Sequence, residues 1–447
     1  MKLLSRPKPE KSQEHKTTSA SITKVYWPLA LSWFFMAWEG QLAMWLIGLM
    51  PDNKIYQAGF LIVFGIAIFI ESPVIDLLST GTTLGTTKKR FEQITRFTLI
   101  LMTWVTVAHC IVVFTPPIYT FVAETLLGAR PEVATAAWYG LAWMPVWSAC
   151  VGWRRYRQGI MIRAGRTGPI SWGTLVRIVA MMISGLALYV SGTMIGLGVI
   201  GLSFTIAVFA EALYIHIVSK PVIAELTETD PTNIDNLTLS QLAKFHFPLT
   251  ASTMLMLTAP VLMTRALNEG PEPIIAMAAW QVSSTVVWLF RTITFALPEA
   301  VIALYKPGRE RYLGSFCIKV GGGITLTMLA VHAFQFDLYV FRAIFKSEPL
   351  VADRAATAFL WCSFLPLLNA LMAYYRGVLT SHHITSARLY AIIIALAALA
   401  ITLTLGLRIG ILTVVLAAAA LTLSHLVELA TLAIAWHRSR HLASPTT

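Results

Sequence analysis

The chain has 447 residues, of which 56% are hydrophobic and 13% charged, and its mean hydropathy is +0.68. No soluble globule carries this balance, so the sequence reads as an all-α polytopic membrane protein. Its formal charge of +12 gathers in alternate short loops, which argues against nucleic-acid binding and for charge that sets membrane topology.

Residues 1–24 are polar and basic and lack the apolar segment of a signal peptide, so they read as a cytoplasmic tail. The first long apolar window, 25–49, opens with Tyr26-Trp27-Pro28-Leu29 and carries Glu39 inside it. At 1.5 Å per residue Glu39 lies about 20 Å along a helix, past the midplane. A carboxylate there must face protein or water rather than lipid.

Further apolar windows at 58–78, 97–115, 134–152, 169–190, 195–218, 246–267, 274–304, 313–334, 355–373, 387–406 and 409–436 bring the total to about twelve spans, each near the length a helix needs to cross hydrocarbon. Pro73 should bend or open the second span between Glu71 and Asp76, and Pro298 should kink the long eighth. With the N-terminus inside, about 24 lysines and arginines fall in inner segments and about seven in outer loops, which predicts that both termini are cytoplasmic. Lys88, Lys89, Arg90, Arg96, Arg154, Arg155, Arg157, Arg163 and Arg166 belong to that inner set.

The chain also repeats itself. His246-Phe247-Pro248-Leu249 opens span seven 220 residues after the start of the first span, and the Arg157-Gln158-Gly159 stretch after span four is echoed by Arg376-Gly377 after span ten. Six spans separate each pair, so the halves share one orientation about an axis along the membrane normal. The expected organisation is a six-helix bundle at 25–218, a cytoplasmic linker at 219–245, a second bundle at 246–436 and a short cytoplasmic tail at 437–447.

Such bundles leave a cleft between them. Gln281, Ser284, Thr285, Trp288 and Thr292 share one face of span eight, either lining that cleft or making ordinary interhelical hydrogen bonds. Glu39, Glu71, Asp76, Arg177, Gln281 and Arg291 are the candidates for a substrate or coupling pathway. Arg177 and Arg291 stay charged in the membrane, so each needs an anionic partner or an anionic substrate. Glu39, Glu71 and Asp76 are candidates for binding a coupling proton or sodium. Glu211 is a possible structural partner of Arg177, Glu428 with His425 reads as an interhelical pair, and Lys319 should snorkel to the interface. The four cysteines, Cys110, Cys150, Cys317 and Cys362, have no paired spacing, so neither a disulfide frame nor a zinc site is implied. No phosphate-binding loop is present, and no cofactor is expected. The sole enzyme-like candidate, His382-His383, lacks an acidic or cysteine partner nearby and reads as a loop.

The six-plus-six pattern with prolines opening spans one and seven resembles the multidrug/oligosaccharidyl-lipid/polysaccharide exporter superfamily. Tyr26-Trp27-Pro28-Leu29, Glu39-Gly40-Gln41, Ser72-Pro73-Val74-Ile75-Asp76, Phe247-Pro248-Leu249, Pro260-Val261-Leu262 and Ser363-Phe364-Leu365-Pro366 more narrowly resemble the progressive ankylosis protein family. The resemblance covers roughly residues 25 to 436 and implies export of a small anion such as pyrophosphate, a nucleotide or citrate across a plasma or bacterial inner membrane. One stretch departs from that family: Leu257-Thr258-Ala259 stands where its members tend to carry arginines. The alternatives are a proton- or sodium-coupled drug extruder, a lipid-linked sugar flippase and, from another class, an intramembrane enzyme.

Overall fold

The computed structural model describes residues 19–228, 237–305, 310–382, 384 and 386–443, which form helices joined by short connections. His383 and 229–236 of the expected linker lie outside the described residues. In the first half, α1 (Ser19–Gly48) is followed by α2 (Asn53–Ile75) and α3 (Leu77–Leu84), then α4 (Lys88–Phe114). A short α5 (Pro116–Thr120) runs into a π-helical turn at Phe121–Leu126, and α6 (Pro131–Leu141), α7 (Trp147–Arg163), α8 (Gly168–Ser191) and α9 (Leu197–Ala224) complete the half.

The second half repeats these interruptions. It runs α10 (Leu239–Glu269), α11 (Pro273–Thr292), a 3-10 turn at Ile293–Ala296, α12 (Leu297–Leu304) and α13 (Glu310–Ala333). Then α14 (Phe336–Tyr339) leads into a π-helical turn at Val340–Ile344, before α15 (Pro349–Cys362), α16 (Leu365–Ser381), α17 (Ser386–Arg408) and α18 (Thr413–Ala443). The protein is therefore an all-α, multi-pass integral membrane protein of two like-oriented six-helix bundles.

Local chemistry places the breaks. Pro73 has no N–H for the Phe69 carbonyl, and the Ser72 hydroxyl donates to that carbonyl instead, at 2.7 Å. The helix then interrupts at Asp76. Near Pro298 the Leu297 N–H bonds the Thr294 carbonyl, a tightened turn that leaves the Ile293 carbonyl without its helical donor. Both prolines thus lie beside an interruption of their helix. Two windows expected to be single spans, 134–152 and 355–373, are instead divided. Pro145 stands between α6 and α7, and Pro366 occupies the first turn of α16 after a break at Ser363 and Phe364.

Among the described residues, ten helical runs, counting those joined across a short break as one, are long and apolar enough to cross a membrane. Two expected spans fall outside that set. Glu39, Gln41 and four tryptophans lower the hydropathy of α1, and the fourth span is split between α6 and α7.

Packing joins the two halves at both ends. At the end opposite the basic loops, Gln57 Nε2 donates to Ser347 Oγ at 2.9 Å, Lys54 pairs with Glu348 at 2.9 Å and Asn268 Nδ2 donates to the Leu127 carbonyl at 2.8 Å. A Cβ on Gly48 would collide with the Phe345 backbone, so only glycine permits this approach. At the basic end, Tyr26 and Ala30 of α1 pack into a cluster of second-half residues that includes Leu297, Val301 and Leu379. α1 thus packs on the second bundle at Tyr26 and ends between the two, with Leu46 close to Gly185 of α8 and Gly48 against Phe345. Outward faces of α4 and α8 expose Trp104, Ile111 and Ile183, as lipid contact requires.

Candidate functional site

Five helices of the first half bring six charged side chains and one amide toward a common interior. Arg177 on α8 faces Glu39 on α1 in a forked pair, with Nε 2.5 Å from Oε1 and Nη2 2.7 Å from Oε2. Its Nη1 donates to Glu211 Oε2 on α9 at 3.3 Å. The other Glu211 oxygen accepts from Arg154 Nη1 at 3.0 Å and from Gln158 Nε2 at 3.3 Å, both on α7 one turn apart. Glu39, Arg154, Arg177 and Glu211 are all less than a tenth exposed. Two carboxylates and two guanidinium groups cancel, which is the condition for burying charge at this depth. Gly173 on α8 lets the helix lie close to Glu211 and Ile215 of α9.

Two charges nearby are left over. Glu71, on α2 two residues before Pro73, is 5% exposed and accepts no hydrogen bond from any described residue. Arg155, adjacent to Arg154 but on a different face of α7, has a buried Nε without an acceptor and no carboxylate within ion-pairing distance among the described residues.

The second half holds a sparser arrangement. Arg376 on α16 is paired with Glu428 on α18. This is the repeat counterpart of Gln158 with Glu211, the members lying 218 and 217 residues apart. Arg291 on α11, partly exposed, meets no carboxylate among the described residues. Its Nη2 lies 3.1 Å from His425 Nε2, and its Nε is buried without an acceptor. His425 Nδ1 lies 2.9 Å from the Leu421 carbonyl. A carbonyl only accepts and a guanidinium only donates, so Nδ1 carries the proton and Nε2 is a neutral acceptor.

Between the halves, Thr253 on α10 donates to Asp76 Oδ2 at 2.8 Å, and Gln41 on α1 donates to the Thr285 carbonyl at 2.8 Å. Gln281 Nε2 donates to Thr285 Oγ1 at 2.9 Å. Of the polar stripe on α11, Gln281, Thr285 and Thr292 are buried, and Thr285 is spent on contact with α1. Tyr26 donates to the Ile293 carbonyl at 2.5 Å, and His246 Nε2 donates to the Pro73 carbonyl at 2.7 Å while its Nδ1 meets Thr80 Oγ1 at 2.9 Å.

The structure thus gathers Glu39 and Arg177, leaves Glu71 alone beside them, and puts Asp76, Gln281 and Arg291 elsewhere. Glu39, read as a proton or sodium site, and Arg177, read as needing an anionic partner or substrate, are in contact with each other. The long arginine stem lets the guanidinium reach across to the carboxylate. Glu211 is a partner of Arg177, as expected. Glu428 pairs with Arg376 of α16, and His425 meets Arg291 of α11, so each takes an arginine from another helix. Lys319 is exposed on α13. Arg154, Arg155 and Arg157, counted as loop charge, sit inside α7, which runs to Arg163 and so carries them into the protein. Arg157 is buried among Phe91, Trp153 and Tyr156, with Nη1 donating to Ser219 Oγ at 3.0 Å. The i, i+4 spacing of Arg154 and Gln158 was the available signal that the helix continued.

No protein-family model matches the chain, and no curated protein matches it. Solved structures do. An inward-facing multidrug resistance MATE family transporter of the MOP superfamily is similar with a TM-score of 0.66 at 14% identity, over 95% of this chain and 100% of that one. The lipid II flippase MurJ, in an inward closed conformation, is similar at 0.67 and 12% identity, over 92% and 87%. A MOP superfamily transporter from Pyrococcus furiosus, described as having a binding pocket of reverse polarity that suggests a different function, is similar at 0.64 and 13%, over 95% and 97%. The chain has the fold of these transporters.

Proposed function

We propose that the protein is a secondary transporter that exports a small organic or phosphorylated anion by alternating access through the cleft between its bundles. The observation that carries this reading is Arg291: a membrane-embedded guanidinium, partly exposed, with no carboxylate to neutralise it among the described residues. Charge kept at this depth is expensive unless something anionic visits it. Arg155 of the first half is not such a group, because the charges of Glu71 and Glu211 act on it. Arg177 does not contribute to cargo, because Glu39 and Glu211 already engage it.

The fold shared with MATE transporters and a lipid II flippase supports transport, and the progressive ankylosis-like motifs support an anion. The skew of basic residues supports cytoplasmic termini. A second reading, a proton- or sodium-coupled drug extruder, is favoured by one feature, the solitary buried Glu71.

Flux in proteoliposomes separates the two. Labelled pyrophosphate and citrate should move, and Arg291→Gln should abolish that movement in protein that remains folded. Movement of cationic dyes alone, driven by a pH or sodium gradient and lost in Glu71→Gln, would replace the anion reading with the extruder.

A further inference from the structure

The second bundle contains a carboxylate, Glu428, only three residues from His425 on α18, yet it is Arg376 that takes it. Arg291 is left to an imidazole. The ring is held from both sides: the Leu421 carbonyl one turn back accepts from Nδ1, and Nε2 is thereby fixed as an acceptor aimed at Arg291 Nη2. A carboxylate in this position would hold the arginine equally well but would cancel its charge, as Glu39 and Glu211 do for Arg177 in the first bundle. A neutral acceptor holds the side chain and leaves the charge in place. The buried Nε of Arg291 has no acceptor among the described residues.

We propose that His425 is the positioning residue for Arg291, orienting the guanidinium through an uncharged contact so that its positive charge stays available to an anionic cargo. This rests on the anion reading of Arg291 given above. The charge on Arg376 is absorbed by Glu428, so the site presents one net positive charge from Arg291, framed by α11 and α18 and by Cys362 at the end of α15.

The test is a charge series at one position, with binding of labelled pyrophosphate measured on purified, monodisperse protein and thermal unfolding followed in parallel. His425→Gln retains a neutral acceptor and should bind within about threefold of wild type. His425→Leu removes the contact and should weaken binding about tenfold. His425→Glu restores a tether but neutralises the arginine, and should weaken binding as much as Arg291→Gln does. A merely structural role would make the losses follow unfolding temperature instead of charge, with Glu no worse than Leu, and that result would overturn the proposal. The double variant His425→Leu with Arg291→Gln decides whether the histidine acts through the arginine: the leucine should add no further loss in that background. An additional loss would sink the proposal. If Arg291→Gln itself binds normally, the anion reading fails. If Arg291→Gln loses binding while His425→Leu and His425→Glu keep it, only the positioning role fails.

Discussion

Tyr26 and His246 stand 220 residues apart at equivalent positions in the repeat, and each hydrogen-bonds a backbone carbonyl at the break in the other half's second span. Tyr26 takes Ile293, and His246 takes Pro73. The tightened turn before Leu297 frees the Ile293 carbonyl, while the interruption at Asp76 opens the helix next to Pro73. The basic ends of α1 and α10 are therefore pinned reciprocally, each to the opposite bundle. Any movement that separates the bundles at this end must break both contacts.

Removing either contact should favour the separated form. A neutral hydrogen bond contributes about 1 kcal/mol, so Tyr26→Phe or His246→Phe should each shift the equilibrium about fivefold. Spin labels on cysteines placed at Thr83 and Tyr312, both exposed at the basic end, would read the change as a larger long-distance population. Unchanged distance distributions in both variants would show that the pair does not latch this end.

The opposite end closes on Gly48. A valine there meets the Phe345 backbone, and overpacking of this kind costs roughly 1–3 kcal/mol. Gly48→Val should hold the bundles apart and speed thiol labelling of a cysteine placed at Ser347, which is buried against Gln57. Equal labelling rates with and without the valine would mean that closure does not pass through this contact.

Topology is tested independently. Cysteines at Ser191 and Leu407 should react with an impermeant thiol reagent from outside intact cells, and one at Thr167 should not. Ser191 and Thr167 are both exposed at the ends of α8, so protein burial does not decide between them. Labelling at Thr167 from outside would reverse the orientation.

Periodic apolar windows and two prolines carried most of the fold. Pro73 and Pro298 marked their breaks because each sits inside an otherwise continuous run, whereas Pro145 and Pro366 lie near polar or aromatic residues that blurred the fourth and tenth windows. The charged cluster was half legible. Glu39, Arg177 and Glu211 stood out inside apolar sequence, but Arg154 is followed by Arg155 and Arg157, and a run of arginines at the end of a window looks like loop charge. Only the helix continuing to Arg163 carries them into the protein, where Arg154 and Arg157 are buried. Which carboxylate takes which arginine depends on packing between distant helices, and no spacing within one helix encodes it.

That division of partners separates two glutamates of similar burial. Glu211 accepts from Arg154, Arg177 and Gln158, while Glu71 accepts from no described residue. Glu211→Gln would leave Arg154 buried without a carboxylate, and losing one member of a buried pair costs about 3–5 kcal/mol. Arg177 would still hold Glu39. Glu71→Gln breaks no hydrogen bond, removes only through-space attraction to Arg154 and Arg155, replaces the carboxyl with a group of nearly the same shape, and should cost well under the loss in Glu211→Gln, about 1 kcal/mol. Thermal unfolding of the two variants in the same detergent should therefore differ clearly, with Glu211→Gln far less stable. Flux then separates structure from coupling: Glu71→Gln should reduce gradient-driven transport in protein as stable as wild type. A Glu71→Gln protein that unfolds as readily as Glu211→Gln would show that Glu71 has a structural partner and is no candidate for coupling.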